Sequence, residues 1–259
     1  MSGYTPTTTG VTKQARQTSP AATSEVLERD AVADERAFYL QAAFRALLDA
    51  MARPGEVTSL PAAPASAQDA AARSGLTSET VILSDVLLDA ATSFAVAGED
   101  AEATTRALAR RTRASILPVE EVAFLIIGRE VRGEAAAEVV RAAQAGTLEE
   151  PHRGATLIVE CGTLVGVDRN GAFTGSAAGS CQSVAWELSG PGVDGEARMA
   201  SDRSDVVAAR NDRADEFPCG IDLVLVDGAG HVCCVPRSSA CVPTALEGME
   251  TEGARSWDM

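Results

Sequence analysis

The chain has 259 residues and a formal net charge of −15, because 37 acidic residues outnumber 22 basic ones. An acidic surface lacks the cationic footprint that nucleic acids and anionic membranes require, so the composition argues against both partners. No run reaches the ~20 apolar residues of a transmembrane helix, and Met1–Thr23 lacks the apolar segment of an export signal. We therefore expect a cytoplasmic protein.

The first predicted element is a helix that begins near Asp34, after a polar and disordered tail at residues 1–33. Its apolar residues recur at steps of three and four and predict one buried stripe, formed by Leu40, Phe44, Leu47, Leu48 and Met51. Pro54 and Gly55 end this helix, because proline cannot continue it and glycine favours the turn that follows.

Helices and short apolar strands then alternate along the chain. Further helices are predicted at Ser78–Ala90, Ala101–Arg113, Glu134–Ala145 and Asp202–Arg213. Strands are predicted at Ser93–Ala97, Val122–Ile127, Thr156–Val159 and Val184–Leu188, with an irregular stretch at Pro61–Ser74 and an Asn-Gly turn within Asp168–Gly171. This alternation predicts the α/β class: one domain at residues 34–246, with a mixed sheet flanked by helices, and a flexible tail at 247–259.

The last predicted unit is a β-hairpin. The apolar runs Ile221–Asp227 and His231–Pro236 flank Gly228–Ala229, a short segment suited to a tight turn. If the turn has two residues, Asp222 faces Val235 across the hairpin. The residues after Asp222 are apolar on both sides of the strand, so we expect both of its faces to be covered.

An aspartate at the start of a covered strand needs a partner, because an unpaired buried charge is costly. Arg237 lies diagonally across the predicted hairpin on the same face as Asp222 and is the predicted partner. Two interpretations remain open. The pair is a structural ion pair, or Arg237 receives an anion at the sheet edge.

A second candidate group lies on the first helix. Arg45, Asp49 and Arg53 are spaced by four residues, opposite part of the apolar stripe. This spacing is typical of ion pairs on a solvated helix face. The alternative is a contact with another subunit, because arginine is enriched at protein interfaces.

Several classes of chemistry lack their usual residues. The only lysine is Lys13, so the folded part offers no P-loop lysine and no lysine for a pyridoxal phosphate Schiff base. The six cysteines form no C-x-x-C pair, and Cys233 and Cys234 are adjacent on a strand and should point to opposite faces. Neither His152 nor His231 lies near a nucleophile-elbow pattern. We predict no cofactor and no metal, and no catalytic residue is assigned.

Glycines mark two further segments. Gly171, Gly175 and Gly179 precede a strand, but their spacing does not match a phosphate-binding fingerprint, so a flexible loop is expected. Gly190-Pro191-Gly192 predicts a tight turn after the strand at Val184–Leu188.

Four motifs in order resemble the PhnH family of the bacterial carbon–phosphorus lyase system. They span about residues 36–245 and read FRALLDAMARPG at Phe44–Gly55, GATLI at Gly154–Ile158, LSGPGV at Leu188–Val193, and FPCGIDL at Phe217–Leu223 followed by PRSS at Pro236–Ser239. Departures from the family pattern include the long tail before the first motif, Leu48 in place of methionine and Cys219 in place of leucine.

The resemblance implies a homodimer that joins subunits G, I and J in a core complex. That complex exchanges the adenine of ATP for a phosphonate and forms a ribose 1-phosphonate 5-triphosphate. The resemblance also implies a fold similar to that of the pyridoxal-phosphate-dependent transferases, without the cofactor site. It transfers no catalytic residue to this chain.

Three functional hypotheses follow. The first is a non-catalytic accessory subunit of this transferase complex. The second is a free-standing enzyme for small phosphorylated metabolites that uses Arg237 and Asp222. The third is a sensor or binding module for a nucleotide-like or phosphorylated ligand in a relict cofactor cleft.

Overall fold

The computed structural model describes residues 20–98, 101–167, 173–176 and 183–244, with the backbone alone described for 20–35, 167, 173 and 176. The chain divides into a first unit, Met1–Phe38, and a second unit, Tyr39–Met259. Helix α1 contributes its residues up to Phe38 to the first unit, and every contact discussed below lies within the second. In the part of the chain described, no helix is both long and apolar enough to cross a bilayer.

Six α-helices are present among these residues. They are α1 (Pro20–Ala52), α2 (Ala65–Ser74), α3 (Ser78–Leu87), α4 (Ala101–Thr112), α5 (Glu134–Ala142) and α6 (Ser204–Asn211). Two short 3₁₀ helices occupy Val119–Glu121 and Pro151–Arg153.

The strands form two sheets. The seven-stranded sheet has the order β1 (Thr58–Ser59), β11 (His231–Val235), β10 (Asp222–Asp227), β5 (Thr156–Cys161), β4 (Phe124–Ile127), β2 (Ser93–Ala97) and β3 (Ser115–Ile116). The five-stranded sheet has the order β12 (Ala240–Thr244), β8 (Val184–Ser189), β9 (Ala197–Ser201), β6 (Leu164–Val167) and β7 (Phe173–Ser176).

The seven-stranded sheet is the centre of the second unit. Strands β10, β5, β4, β2 and β3 are parallel, whereas β11 pairs with β10 antiparallel. Side chains of α1–α4 pack on one face, and side chains of α5, α6 and the second sheet pack on the other. Because both faces are covered, the central strands are apolar between their ends, as in β10, where Leu223–Val226 is apolar and every residue is buried. The predicted mixed sheet with flanking helices is therefore present.

The five-stranded antiparallel sheet is an addition that the sequence did not predict. Its side chains Leu164, Trp186, Leu188 and Met199 join the core beneath the large sheet. Strands β6, β7, β9 and β12 were missed because each has only four or five residues, and small or polar residues interrupt the apolar ones. Such strands form because their partners lie beside them in space, not because of a strong local pattern.

Most of the predicted helices and the predicted strands of the large sheet are present, although α3 and α5 each end three residues before their predicted ends and the short strands β1 and β3 were not predicted. Ser93–Ala97 is the predicted strand without change, and α4 ends one residue before the prediction. The stretch Pro61–Ser74 is not irregular, since α2 occupies most of it. Alanine is the best helix former, and Pro64 stands just before the helix, where proline is tolerated, so the composition was compatible with a helix.

Helix α1 differs from its prediction at its start and in its buried face. It begins at Pro20 instead of near Asp34, because alanine and glutamate favour a helix and proline suits its first position. The buried residues are Ala43, Leu47 and Ala50, whereas Phe44 and Leu48 of the predicted stripe are 44% and 50% exposed. The remainder of the predicted tails, residues 1–19 and 247–259, lies outside the described residues.

The hairpin forms, but its register is shifted by one residue from the prediction. Leu223, not Asp222, faces Val235, and the connection has three residues, Gly228–Gly230. The Asp227 carboxylate accounts for the longer connection, because its Oδ1 accepts the N–H groups of Ala229 and His231 at 2.9 Å. Its Oδ2 lies 2.8 Å from Nδ1 of His231. A side chain that caps a turn in this way can override the two-residue preference.

The predicted turn after β8 forms and packs against α1. The N–H of Val193 donates to the carbonyl of Gly190 at 3.1 Å. Gly192 has a φ of +85°, and a Cβ added there would lie 2.5 Å from the carbonyl oxygen of Ala52. The close approach to the end of α1 explains why this turn needs glycine. The predicted Asn-Gly turn, including Gly171, and also Gly179 lie outside the described residues.

Candidate functional site

The predicted partners Asp222 and Arg237 meet at the amino end of β10. Nε and Nη2 of Arg237 lie 3.1 Å and 2.5 Å from Oδ2 of Asp222, and the backbone N–H of Arg237 donates to Oδ1 at 2.7 Å. Nη1 donates to the carbonyl of Pro151 at 2.6 Å, and Nη2 also donates to that of Gly154 at 3.0 Å. The predicted ion pair is present, and it joins three segments of the chain. A role of Arg237 in receiving an anion remains a prediction.

The other two predicted residues, Arg45 and Arg53, belong to α1 and the turn that follows it. Arg53 lies 2.8 Å from Asp49 and 2.9 Å from Glu56, so it makes the ion pair within the helix that the spacing predicts. Arg45 is exposed. Among the described contacts none joins these arginines to Asp222 or Arg237, so the four residues form two groups. Their predicted contact with another subunit is untested.

The largest cavity described, about 660 Å³, lies at the opposite, carboxyl edge of the large sheet. The chain leaves β2 through α4 towards β3 and leaves β4 through α5 towards β5, and the two helices cover opposite faces. A crevice between β2 and β4 is therefore a topological switch point, the usual ligand position in open α/β sheets. The cavity lies at this switch point. It is lined by the end of β2, the start of α4, the β4–α5 connection and the α2–α3 turn, with the residues Ser74–Leu76, Val96–Gly98, Ala101, Thr104, Glu130–Arg132 and Ala135.

One wall of this cavity is the β4–α5 loop, residues 128–133, which the fully buried Arg203 holds from behind. Nη1 of Arg203 donates to the carbonyls of Glu160 at 2.7 Å and Gly128 at 3.4 Å, and Nη2 donates to that of Val131 at 2.8 Å. Its Nε lies 3.1 Å from Oδ1 of Asp205. A side chain beside α6 thus fixes the backbone of a loop from the neighbouring β–α unit, which preorganises the wall.

Glu160 fixes a second wall. Its carboxylate is 1% exposed, and its Oε1 accepts the N–H of Thr77 at 2.7 Å and the Thr77 hydroxyl at 3.0 Å. Its Oε2 accepts the N–H of Arg129 at 3.3 Å. Since Thr77 caps α3, the buried carboxylate connects the end of β5 to the start of that helix and to the β4–α5 loop.

The charges at the cavity are partly neutralised by the protein. Nη1 of Arg132 lies 2.8 Å from Oδ2 of Asp202, and its Nε donates to the carbonyl of Arg129. The N–H of Gly133, the residue just before α5, donates to Oδ2 of Asp205 at 2.9 Å. This end of α5 therefore already has a carboxylate, which opposes an anion there. The 34% exposed side chain of Arg132 is the cation that a polar ligand would meet.

Two glycines in the sequence could have indicated this cavity. Gly128 and Gly133 stand between a strand and a helix that were both predicted, the setting in which glycine-rich loops approach phosphates or cofactors. The glycines at positions 171–179 are followed by a predicted strand and not by a helix, and of Gly171, Gly175 and Gly179 only Gly175 is described. The supporting residues Glu160 and Arg203 had no signal, because their partners are distant in sequence.

Four of the five cysteines in the described part of the chain are buried, and their thiols have raised pKa values that keep them from reacting as thiolates. Burial raises the pKa of the Cys161 thiol to about 12 and that of Cys241 to about 11, and it also raises the pKa of Cys233 and Cys234. Cys233 and Cys234 belong to cores on opposite faces of the sheet, which confirms their predicted directions. Within the described residues, no three His, Cys, Asp or Glu side chains are placed to hold a metal ion.

Thiol labelling should separate Cys219 from these four residues. Cys219 is partly exposed, whereas the others are buried and protonated at pH 8, so we expect Cys219 to react at least about a hundredfold faster. Raising the pH from 8 to 9 should not deprotonate the Cys161 thiol or make it a fast-labelling site, because its pKa of about 12 lies well above this interval. Mass-spectrometric mapping of maleimide adducts on a Cys181→Ser chain measures each site. Fast labelling of Cys161 in the native protein would contradict its burial.

A model of the family described as bacterial phosphonate metabolism protein (PhnH) matches residues 32–242. The matched range includes the Asp222–Arg237 pair, the cavity at the carboxyl edge and the buried residues that support it. No curated protein matches the chain.

Proposed function

The chain belongs to the family of bacterial phosphonate metabolism proteins, PhnH, and from that membership we propose that it is a non-catalytic accessory subunit of the carbon–phosphorus lyase core complex. The observation that carries the proposal is the family match over residues 32–242, which covers most of the chain. The complex, a ribose 1-methylphosphonate 5-triphosphate synthase, exchanges the adenine of ATP for a phosphonate. In this proposal the chain works in the cytoplasm as a homodimer with subunits G, I and J.

We also propose that the fold is related to that of the pyridoxal-phosphate-dependent transferases. The support is the large, mainly parallel sheet with helices on both faces. The only lysine, Lys13, precedes the family match, so no lysine within the matched range could form a Schiff base with that cofactor. The chain would use this architecture for association and not for cofactor chemistry.

Co-expression with subunits G, I and J tests the accessory role. We expect the chain to elute with the other three subunits in one species on size-exclusion chromatography. Omission of the chain should abolish formation of the ribose 1-phosphonate 5-triphosphate or reduce it at least about tenfold, because an assembly subunit limits the amount of active complex.

Two results would contradict the accessory role. One is a well-folded chain that never enters the complex. The other is turnover by the isolated chain with ATP and a phosphonate, which would favour the free-standing enzyme that uses Arg237 and Asp222.

The exposed apolar side chains of α1 are the proposed dimer contact. Phe44 and Leu48 are one helical turn apart, and Arg45, the predicted subunit contact, lies beside them. We expect the Phe44→Glu, Leu48→Glu double variant to shift from dimer to monomer in analytical ultracentrifugation, because charges in an apolar contact are not solvated. The exposed Ala42 lies nearly opposite Phe44 on the same helix and supplies the control, Ala42→Glu, which should remain dimeric. If the double variant stays dimeric, the dimer interface does not include Phe44 and Leu48.

The cavity at the carboxyl edge supports a second candidate function, a binding module for a nucleotide or phosphorylated metabolite. Its volume of about 660 Å³ and its position at the switch point suit a small molecule. A specific ligand should raise the melting temperature of the isolated chain by mass action. A screen with ATP, ADP and ribose phosphates that leaves the melting temperature unchanged would remove this candidate.

A further inference from the structure

A smaller cavity of about 370 Å³ lies at the amino edge of the large sheet, away from the switch point. Three guanidinium groups line it, those of Arg210, Arg213 and Arg237, together with Asp215 and Ser239. This grouping is unusual in a chain with a net charge of −15. Two of the three cations have carboxylate partners. Arg213 pairs with Asp215 at 2.6 Å, and Arg237 pairs with Asp222.

Arg210 is the third cation, and within the described part of the chain it has no carboxylate partner. Its Nη2 donates to the carbonyls of Pro236 at 2.6 Å and Ser239 at 2.9 Å, and its Nη1 donates to Oδ1 of Asn211 at 3.0 Å. All three acceptors are neutral. Burial lowers the pKa of Arg210, and the nearby Asp222 and Asp215 carboxylates oppose this effect only in part. A nearby anion would offset this penalty.

Ser239 provides an independent observation at the same cavity. The residue is 4% exposed, and its hydroxyl has no hydrogen-bond partner among the residues described. A buried hydroxyl without a partner is costly and uncommon. The carbonyl of this serine is held by Arg210, so the unpartnered hydroxyl and the unbalanced guanidinium are linked through one residue.

From the unbalanced Arg210, the unpartnered Ser239 and the adjoining Arg213 and Arg237, we propose that this cavity binds the phosphoryl group of a small phosphorus oxyanion, phosphate or a short-chain phosphonate. Guanidinium groups attract phosphoryl oxygens and donate hydrogen bonds to them. The Ser239 hydroxyl, which is closed off from solvent, would donate to a further oxygen after turning towards the cavity. The volume of about 370 Å³ is near the lower limit of small-molecule sites, which favours a phosphoryl group with a short substituent over a nucleotide. The proposal rests on these contacts and does not depend on the accessory role.

Isothermal titration of the full chain with inorganic phosphate and with methylphosphonate tests the site. We expect saturable binding with one site per chain, and weak or no binding of acetate. Arg210→Gln removes the unbalanced charge and should weaken the affinity by about tenfold or more. The control is Arg106→Gln on α4, an exposed arginine whose partner is Glu102, and its affinity should equal that of the unmodified chain.

Ser239→Ala tests the same site without a change of charge, and we expect an affinity about three to ten times weaker. If Arg210→Gln does not fold, Ser239→Ala decides the matter. The proposal is overturned by a chain that binds neither phosphate nor methylphosphonate, by acetate binding as tightly as they do, or by variants that fold and keep the full affinity.

Discussion

Replacement of Arg203 by methionine is expected to lower the free energy of unfolding by about 3–5 kcal/mol, the cost of removing one partner from a buried charged network. Arg203 is 0% exposed, and its guanidinium serves Asp205 and three backbone carbonyls. Methionine fills similar space but removes the charged donor from these buried acceptors, and only Gly128 and Asp205 keep a backbone N–H donor among the bonds described. Urea denaturation followed by circular dichroism measures the loss.

Two variants make the Arg203 prediction specific. Arg203→Lys keeps the charge, but an ammonium cannot reach carbonyls on three sides in the plane of a guanidinium, so most of the loss should remain. Arg106→Met removes an arginine that is 55% exposed and should change stability by no more than about 0.5 kcal/mol. If Arg203→Met were as stable as Arg106→Met, the buried network would contribute little, and preorganisation of the β4–α5 loop would need another explanation.

Replacement of Arg237 by alanine is expected to destabilise the protein by about 2–4 kcal/mol, because it leaves Asp222 without its charged partner. The side chains are 17% and 12% exposed, so solvent screens the pair only in part. The change also removes the donors to Pro151 and Gly154. A thermal or urea transition reports the loss, and the Asp222→Ala, Arg237→Ala double variant gives the coupling between the two residues.

The same variant distinguishes the two interpretations of Arg237. The structural interpretation expects looser folding, but full entry into the lyase complex and full activity per folded molecule. The anion-binding interpretation expects a loss of activity or of phosphate affinity that exceeds the loss of folded protein. Arg153→Ala, an exposed arginine in the neighbouring 3₁₀ helix, is the matched control and should leave stability, assembly and affinity unchanged.

The central motif of the family resemblance has a packing reason at this pair. A Cβ added to Gly154 would clash with the carbonyl of Gly220 and with the guanidinium of Arg237. The glycine therefore allows the loop before β5 to approach both the start of β10 and the end of β11. The motifs that contain Gly154 and Arg237 are far apart in sequence but in contact in the fold.

Local patterns predicted those parts of the fold in which neighbouring residues carry the signal. The apolar run Ser93–Ala97 and the helix Ala101–Thr112 lie at or within a residue of their predicted positions. The charge of Asp222 at the start of an apolar strand was sufficient to identify Arg237 as its partner. The three-residue hairpin connection was not predicted, because the turn depends on the direction of the Asp227 side chain.

By itself the sequence determined the α/β class, the family, the Asp222–Arg237 pair and the lack of a lysine within the matched range, because residue identity and short-range periodicity carry this information. Only the tertiary structure decided that Phe44 faces outward and that a second sheet covers the first. It also decided that Arg203 and Glu160 support one cavity, and that Arg210 and Ser239 lie together at another. The reason is physical: the free energy of a buried charge or of a short strand depends on partners tens of residues away, and periodicity reports the character of a residue without identifying those partners.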